Sequence, residues 1–258
     1  MNRCTKLTLT AVCLLVLVAV TAPDAWRWSM AGAIVLIYTI VFGLGISFIG
    51  MNFFVVALCR GEGDEKRIAL TFDDGPDPET TPAILDALGA EDVCATFFCV
   101  GERVRANPEI AKRIVEEGHG IGNHTMRHSW RTNFLFGRLL ECELAEAQVA
   151  IAHGTGRQPV YFRTPMGLTN PHYAGVLGRL GLKLVGWDVR GFDLSGRGAR
   201  AVIDRVRGRV RPGSIVALHA AGVRAEVAVE IVKGLVETLR DDGYVFVSVD
   251  AFDPGAEA

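Results

Sequence analysis

The chain has 258 residues and a formal net charge of −2, enough length for one large domain with an appendage; without a basic block it does not suit a nucleic-acid partner. Half of its residues are hydrophobic, more than a soluble domain needs, and the excess is concentrated near the N-terminus. Its six cysteines include no Cys-x-x-Cys pair, and Cys94 and Cys99, five apart in one apparent strand, face opposite sides of it, so buried thiols are expected and not a disulfide framework.

Residues 7–22 and 29–59 carry no charged side chain. The second stretch exceeds the roughly 20 residues that cross a bilayer. The first reads either as a spanning helix or as a secretory signal, since Arg3 and Lys6 precede it and Val-Thr-Ala before Pro23 resembles a cleavage site. Membrane helices are placed at about 7–22 and 30–58, within an N-terminal region 1–60, with a folded domain over 61–258. Gly43, Gly45, Gly50 and Asn52 are the points at which the second segment could break. Arg3 and Lys6 lie before the hairpin, Arg27 alone within it, and Arg60, Lys66 and Arg67 after it. By the positive-inside rule this puts the C-terminal domain on the cytoplasmic side, and cleavage of the first segment would not change that side. Trp26 and Trp28 in the connection suit a membrane-interface belt.

From residue 67 short apolar runs alternate with stretches of helical period. RIALTF, CATFFCV, HGIGNH, VYFRT, KLVGWDV, GSIVALH and YVFVSV read as strands. TTPAILDALGA, NPEIAKRIVEEG, GRLLECELAEAQVAIA, PHYAGVLGRLG, ARAVIDRVRGRV and EVAVEIVKGLVETLR read as helices. This alternation predicts repeated βαβ units, and therefore an α/β fold with about seven parallel strands in a barrel.

In such a barrel chemistry collects at the C-terminal ends of the strands. The first run ends in Asp73 and Asp74, the third in His124, the fourth in Arg163, the fifth near Asp188 to Asp193 and the sixth in His219. Taken alone, Asp-Asp-Gly-Pro reads as a turn, and His119, His153 and His172 read as structural. His124 and His128 differ, because the i, i+4 spacing in HTMRH, on one helical turn, aims both imidazoles at one point. With a carboxylate they make an Asp-His-His site that suits zinc or another first-row divalent metal and leaves coordination positions open. One of the paired aspartates would ligate the metal and the other would take a proton from water.

At these residues the chain resembles the polysaccharide deacetylases, the NodB-homology or carbohydrate esterase family four enzymes, over roughly residues 66–250. TFDDGPDPETT is similar to the family's first motif and GIGNHTMRH to its second, while YFRTPMG, WDVRGFDL and GSIVALH are similar to the third, fourth and fifth. The resemblance implies a distorted (β/α) barrel that uses a divalent metal, with zinc expected and cobalt or manganese as alternatives, to remove an acyl group from an N-acylated amino sugar in a polysaccharide or lipid-linked glycan. It implies Asp73 as general base, Asp74, His124 and His128 as metal ligands, Arg163 as the partner of Asp73, His219 as general acid and Asp193 as the residue that tunes it. It also implies an oxyanion donor in a backbone N–H near Met166.

Three positions depart from the family pattern. Met166 stands where an aromatic residue is usual, Leu194 where tryptophan is usual, and Ala217 where a larger aliphatic residue is common. The last two belong to the wall around the acyl methyl, so a larger acyl group or part of a lipid fits there unless neighbours refill the space. Two rivals remain. A non-haem iron oxygenase shares the Asp-His-His set but is expected on an all-β scaffold. A non-catalytic, membrane-anchored glycan-binding protein is expected to lack Asp73 or His219.

Overall fold

The N-terminal region forms a helical hairpin. In the structure, a computed structural model describing residues 2–253 and 255, the hairpin consists of α1 (Arg3–Thr21) and α2 (Asp24–Ser47). Each helix has a mean hydropathy of 2.1 over its most apolar window, only 6% of which is buried. Val20, Leu36 and Ile37 stand exposed, so these helices are not part of the core of the following domain. At 1.5 Å per residue α2 spans about 36 Å, against a hydrocarbon core of about 30 Å.

The helix expected over 30–58 stops at Ser47. Asn52 adopts a left-handed conformation with φ 51°, and its Oδ1 accepts the Ala57 N–H at 2.8 Å. The chain folds back, and Phe53 and Phe54 pack edge-on against Phe42 at centroid distances of 6.3 and 5.3 Å. The apolarity of this stretch thus serves packing against the hairpin, and Ala57–Leu58 form a short strand, β1. Gly45 permits the close approach: a Cβ there would lie 2.2 Å from the Phe53 ring. The last carbonyls of α2 are bound by the domain, Gly45 by the Thr169 hydroxyl at 3.2 Å and Ile46 by the Thr169 N–H at 3.0 Å. Helix-end acceptors with no partner inside α2 therefore fasten the hairpin to the domain.

The domain continues as β2 (Arg67–Gly75), α3 (Thr80–Ala90), β3 (Thr96–Cys99), α4 (Gly101–Ala106), α5 (Pro108–Glu116), β4 (Gly120–Asn123), α6 (Gly137–Thr155), β5 (Tyr161–Phe162), α7 (Tyr173–Leu180), β6 (Lys183–Val185), β7 (Val189–Arg190), α8 (Ala199–Arg207), β8 (Ile215–His219), α9 (Ala225–Asp241) and β9 (Val245–Phe246). The strands lie in the order β1-β6-β5-β4-β3-β2-β8-β7, with β9 pairing β2 to one side. Every ladder is parallel. This is the parallel α/β barrel expected from the sequence, curled but open between β1 and β7, and not the all-β scaffold of the oxygenase rival.

KLVGWDV, expected as one strand, is divided between β6 and β7. Residues 186–188 cross the seam, bonded on one side through Gly186 N–H to Leu58 O and on the other through Asp188 N–H to Ile215 O. Gly186 makes the crossing possible, since a Cβ there would meet Cys59 Sγ at 2.6 Å.

Period-two alternation in β2 separates two cores. Ile68, Leu70 and Phe72 face the helical layer, where α9 presents Ala228, Ile231, Val232, Leu235, Val236 and Leu239 from one stripe. Ala69 faces the barrel interior with Phe98, Tyr161, Val185 and Ile215. On that inner side follow Thr71 and then Asp73, which carries the strand into the site. All six cysteines are free thiols.

Candidate active site

Successive strand residues point to opposite faces, so two adjacent aspartates should not share a cavity. A bulge resolves this. The β2–β3 register passes from Phe72↔Phe97 to Gly75↔Cys99, leaving one extra residue on β2 at the aspartates, and Asp74 takes a left-handed φ of 68°. Both carboxylates then line one cavity of about 140 Å³.

Asp74 Oδ1 lies 3.3 Å from His124 Nε2 and 3.0 Å from His128 Nε2. It is buried and has no hydrogen-bond partner among the described residues. The three ligand atoms fall within 4.8 Å of one another. Burial would push the Asp74 carboxyl up, but the neighbouring His124, and after it His128 and His219, hold it well below the ordinary carboxylate range. His128 is pushed down by burial and then by His124, which favours the neutral imidazole a metal requires. His124 Nδ1 sits 2.7 Å from the Arg163 carbonyl; donating there, it leaves the Nε2 lone pair for a ligand. An acceptor buried without a donor, facing two imidazole nitrogens, fits a divalent cation.

The histidines do not lie on a helical turn as the spacing suggested. Residues 124–128 form a loop in which Thr125 and His128 have φ 69° and 50°. Asn123 Oδ1 accepts the Thr125 N–H at 2.8 Å, and Thr125 Oγ1 accepts the His128 N–H at 3.0 Å. Side chains of the motif thus supply the bonds that a helix would have taken from its backbone.

Behind these three residues Arg163, fully buried, donates from Nη1 to Asp73 Oδ1 at 2.8 Å and to Thr71 Oγ1 at 2.7 Å, and from Nη2 to Gly186 O at 2.8 Å. Its guanidinium lies 4.1 Å from the centroid of the Phe98 ring. The buried charges are therefore paired and hydrogen-bonded, as burial demands. Across the cavity, Asp193 accepts the His219 backbone N–H at 2.8 Å and holds its Nδ1 at 2.9 Å. Burial alone would lower the His219 imidazole, but Asp193, with Asp73 and Asp74 adding to it, raises it above its ordinary value.

Met166, half-exposed, has φ 58°, and its N–H makes no hydrogen bond among the described residues. It lines the cavity with Leu194 and Ala217. His119 is a core residue whose Nδ1 accepts the Ala95 N–H, and His153 and His172 are exposed away from the cavity. Asp188 is structural, bonded to Ser214 Oγ, the Ile215 N–H and Arg211. Sequence reasoning missed Trp187 and Arg190, both in the cavity wall; the available signal was Gly186, which follows the last residue of β6 and breaks the run before Trp187.

The chain matches the polysaccharide deacetylase family over residues 60–185. It is 35% identical over 190 residues to a peptidoglycan-N-acetylglucosamine deacetylase of Bacillus cereus, an alignment covering 72% of this chain and 87% of that protein. It is 33% identical over 190 residues to a chitooligosaccharide deacetylase of Azorhizobium caulinodans, covering 73% and 90%. A solved peptidoglycan N-acetylglucosamine deacetylase in complex with 4-naphthalen-1-yl-N-oxidanyl-benzamide superposes with a TM-score of 0.72 at 31% identity, covering 75% of this chain and 91% of that one.

Proposed function

The chain belongs to the polysaccharide deacetylase family, and on that premise we propose that it is a cation-dependent N-deacetylase of a membrane-attached amino-sugar glycan. The reaction is amide hydrolysis: water adds to the carbonyl carbon, the carbon–nitrogen bond breaks, and a carboxylate and a free sugar amine leave. The observation that carries this reading is the buried, donor-less Asp74 Oδ1 between His124 Nε2 and His128 Nε2.

Asp74, His124 and His128 would hold the cation, which when bound supplies Lewis acidity toward water and the amide carbonyl. Asp73, fixed by Arg163, accepts the proton that the attacking water loses. The Met166 N–H faces the developing oxyanion. His219, its imidazole raised by Asp193, gives a proton to the departing nitrogen, without which the amine is a poor leaving group. Leu194 and Ala217 flank the acyl group. With Asp73 and His219 both in place, nothing in the site favours a non-catalytic glycan-binding role. The cavity is smaller than the roughly 300–1,000 Å³ of pockets that enclose a whole ligand, so it houses the reacting end alone.

A chelator is expected to abolish acetate release from an N-acetylated chitooligosaccharide, and added zinc, cobalt or manganese to restore it; turnover that survives exhaustive chelation would sink the cation-dependent reading.

The two apolar helices and the Lys/Arg distribution support a hairpin anchor with the catalytic domain in the cytoplasm. There the substrate would be a lipid-linked glycan before export. A green fluorescent protein fused to the C-terminus is expected to fluoresce, and alkaline phosphatase at the same place to be inactive. A dark, phosphatase-positive pair would place the domain outside and replace the lipid-linked substrate with a wall or exported polysaccharide.

A further inference from the structure

A second cavity, of about 510 Å³, adjoins the catalytic one and shares Met166, Trp187 and Arg190 with it. Its opposite wall is residues 47–51, where α2 ends. A substrate whose amide lies against Asp74 therefore has a path from the reacting centre to the foot of the apolar hairpin.

The group common to both cavities that carries charge is Arg190. Its half-buried guanidinium stands 5.6 Å from the Trp187 ring centroid and 5.2 Å from that of Phe192. Arg205 covers Phe192 at 4.4 Å and donates from Nε to the Arg190 carbonyl. Among the described residues neither arginine makes an ion pair, and the Arg190 side chain makes no hydrogen bond. The one carboxylate lining the second cavity among the described residues, Asp188, is already engaged by Ser214, Ile215 and Arg211. Two guanidinium groups thus approach one aromatic ring, that of Arg190 lining the cavity and that of Arg205 behind it, without an ion-pair partner among the described residues. Guanidinium presents paired donors that fit phosphate oxygens, whereas a neutral glycan would accept hydrogen bonds from it but leave its charge without a counter-ion.

We propose that Arg190, backed by Arg205, binds the anomeric phosphate of a lipid-linked N-acylamino sugar. The proposal rests on the deacetylase reading of the site and deepens it. In a 2-acylamino sugar the amide and the anomeric oxygen sit on neighbouring ring carbons, so an amide at the Asp-His-His site places a C1 phosphate on the wall of the same cavity. The lipid then leaves through the second cavity past Phe48 and Met51 into the bilayer beside α2. A nucleoside diphosphate sugar offers the same phosphate without the lipid; the position of the α2 terminus in the exit path selects the lipid.

The test uses the full chain in detergent micelles with three substrates: a polyprenyl phosphate carrying an N-acetylated amino sugar, the corresponding nucleoside diphosphate sugar, and a neutral N-acetylated chitooligosaccharide. The wild type is expected to show its highest kcat/KM on the polyprenyl phosphate sugar. Arg190→Gln, which orphans no buried group, is expected to lower that value about tenfold or more, chiefly through KM, the scale of a lost charge-assisted hydrogen bond. The loss on the neutral substrate should be several-fold smaller, and Arg190→Lys should recover part of the difference. Equal losses on charged and neutral substrates would reduce Arg190 to a structural residue and overturn the proposal. Equal or better turnover of the nucleotide sugar overturns the lipid assignment. Failure to hydrolyse any of the three would instead count against the deacetylase reading, and direct binding of the polyprenyl phosphate sugar, weakened or unchanged by Arg190→Gln, then decides the subsite by itself.

Discussion

Asp74→Asn is expected to leave the protein without its cation and without activity, whereas Asp73→Asn is expected to retain the cation and lose about a hundredfold to ten-thousandfold in kcat, the range for a positioned proton acceptor. The two residues are adjacent in sequence but separated by the bulge into different partnerships. Asp74 Oδ1 faces His124 and His128 alone, so removing its charge removes the only carboxylate of the ligand set. Asp73 faces Arg163, which has no other carboxylate partner among the described residues. Breaking a buried ion pair outright costs about 3–5 kcal/mol, which is why asparagine and not alanine is the informative change: its Oδ1 still accepts from Arg163 Nη1. Elemental analysis of the two purified variants checks the assignment. Cation retained by Asp74→Asn and lost by Asp73→Asn would exchange the two roles.

That bulge also shows where sequence reading runs out. Strand-end residues Asp73, Asp74, His124, Arg163 and His219 were legible because parallel strands put their C-termini on one face, and each stood at or beside the end of an apolar run. The backbone that makes them converge was not legible. HTMRH has a helical spacing, yet its bonds come from the Asn123 and Thr125 side chains, and spacing does not distinguish a helical turn from a loop of equal span. Hydropathy extended the second apolar helix to residue 58, because Phe53 and Phe54 are as apolar when packed on Phe42 as they would be in lipid. Treating KLVGWDV as one strand hid the seam crossing at 186–188 and, with it, the place of Trp187 in the cavity wall. In each case the residue type was visible but the surface it would be buried against was not.

His219→Ala is expected to lower kcat by about a hundredfold or more, as removal of a positioned acid does, while leaving the cation bound, because His219 is not among its ligands. Asp193→Asn separates charge from position. Asparagine can still accept the His219 backbone N–H, but it no longer offers a carboxylate to Nδ1, where Asp193 now lies at 2.9 Å. Burial, which lowers the imidazole, would then act with less opposition. The sign follows directly. A histidine that must be protonated supports turnover below its pKa and fails above it, so the raised value in the wild type carries activity further into the alkaline range than an ordinary imidazole, near 6.5, would allow. In Asp193→Asn the alkaline limb of the kcat profile should move to lower pH, with a smaller loss of rate on the acid side of that limb than above it. A profile displaced downward by the same factor at every pH would mean that Asp193 only positions the ring. A limb that stays in place in both Asp193→Asn and His219→Ala would assign the proton donor to a different group.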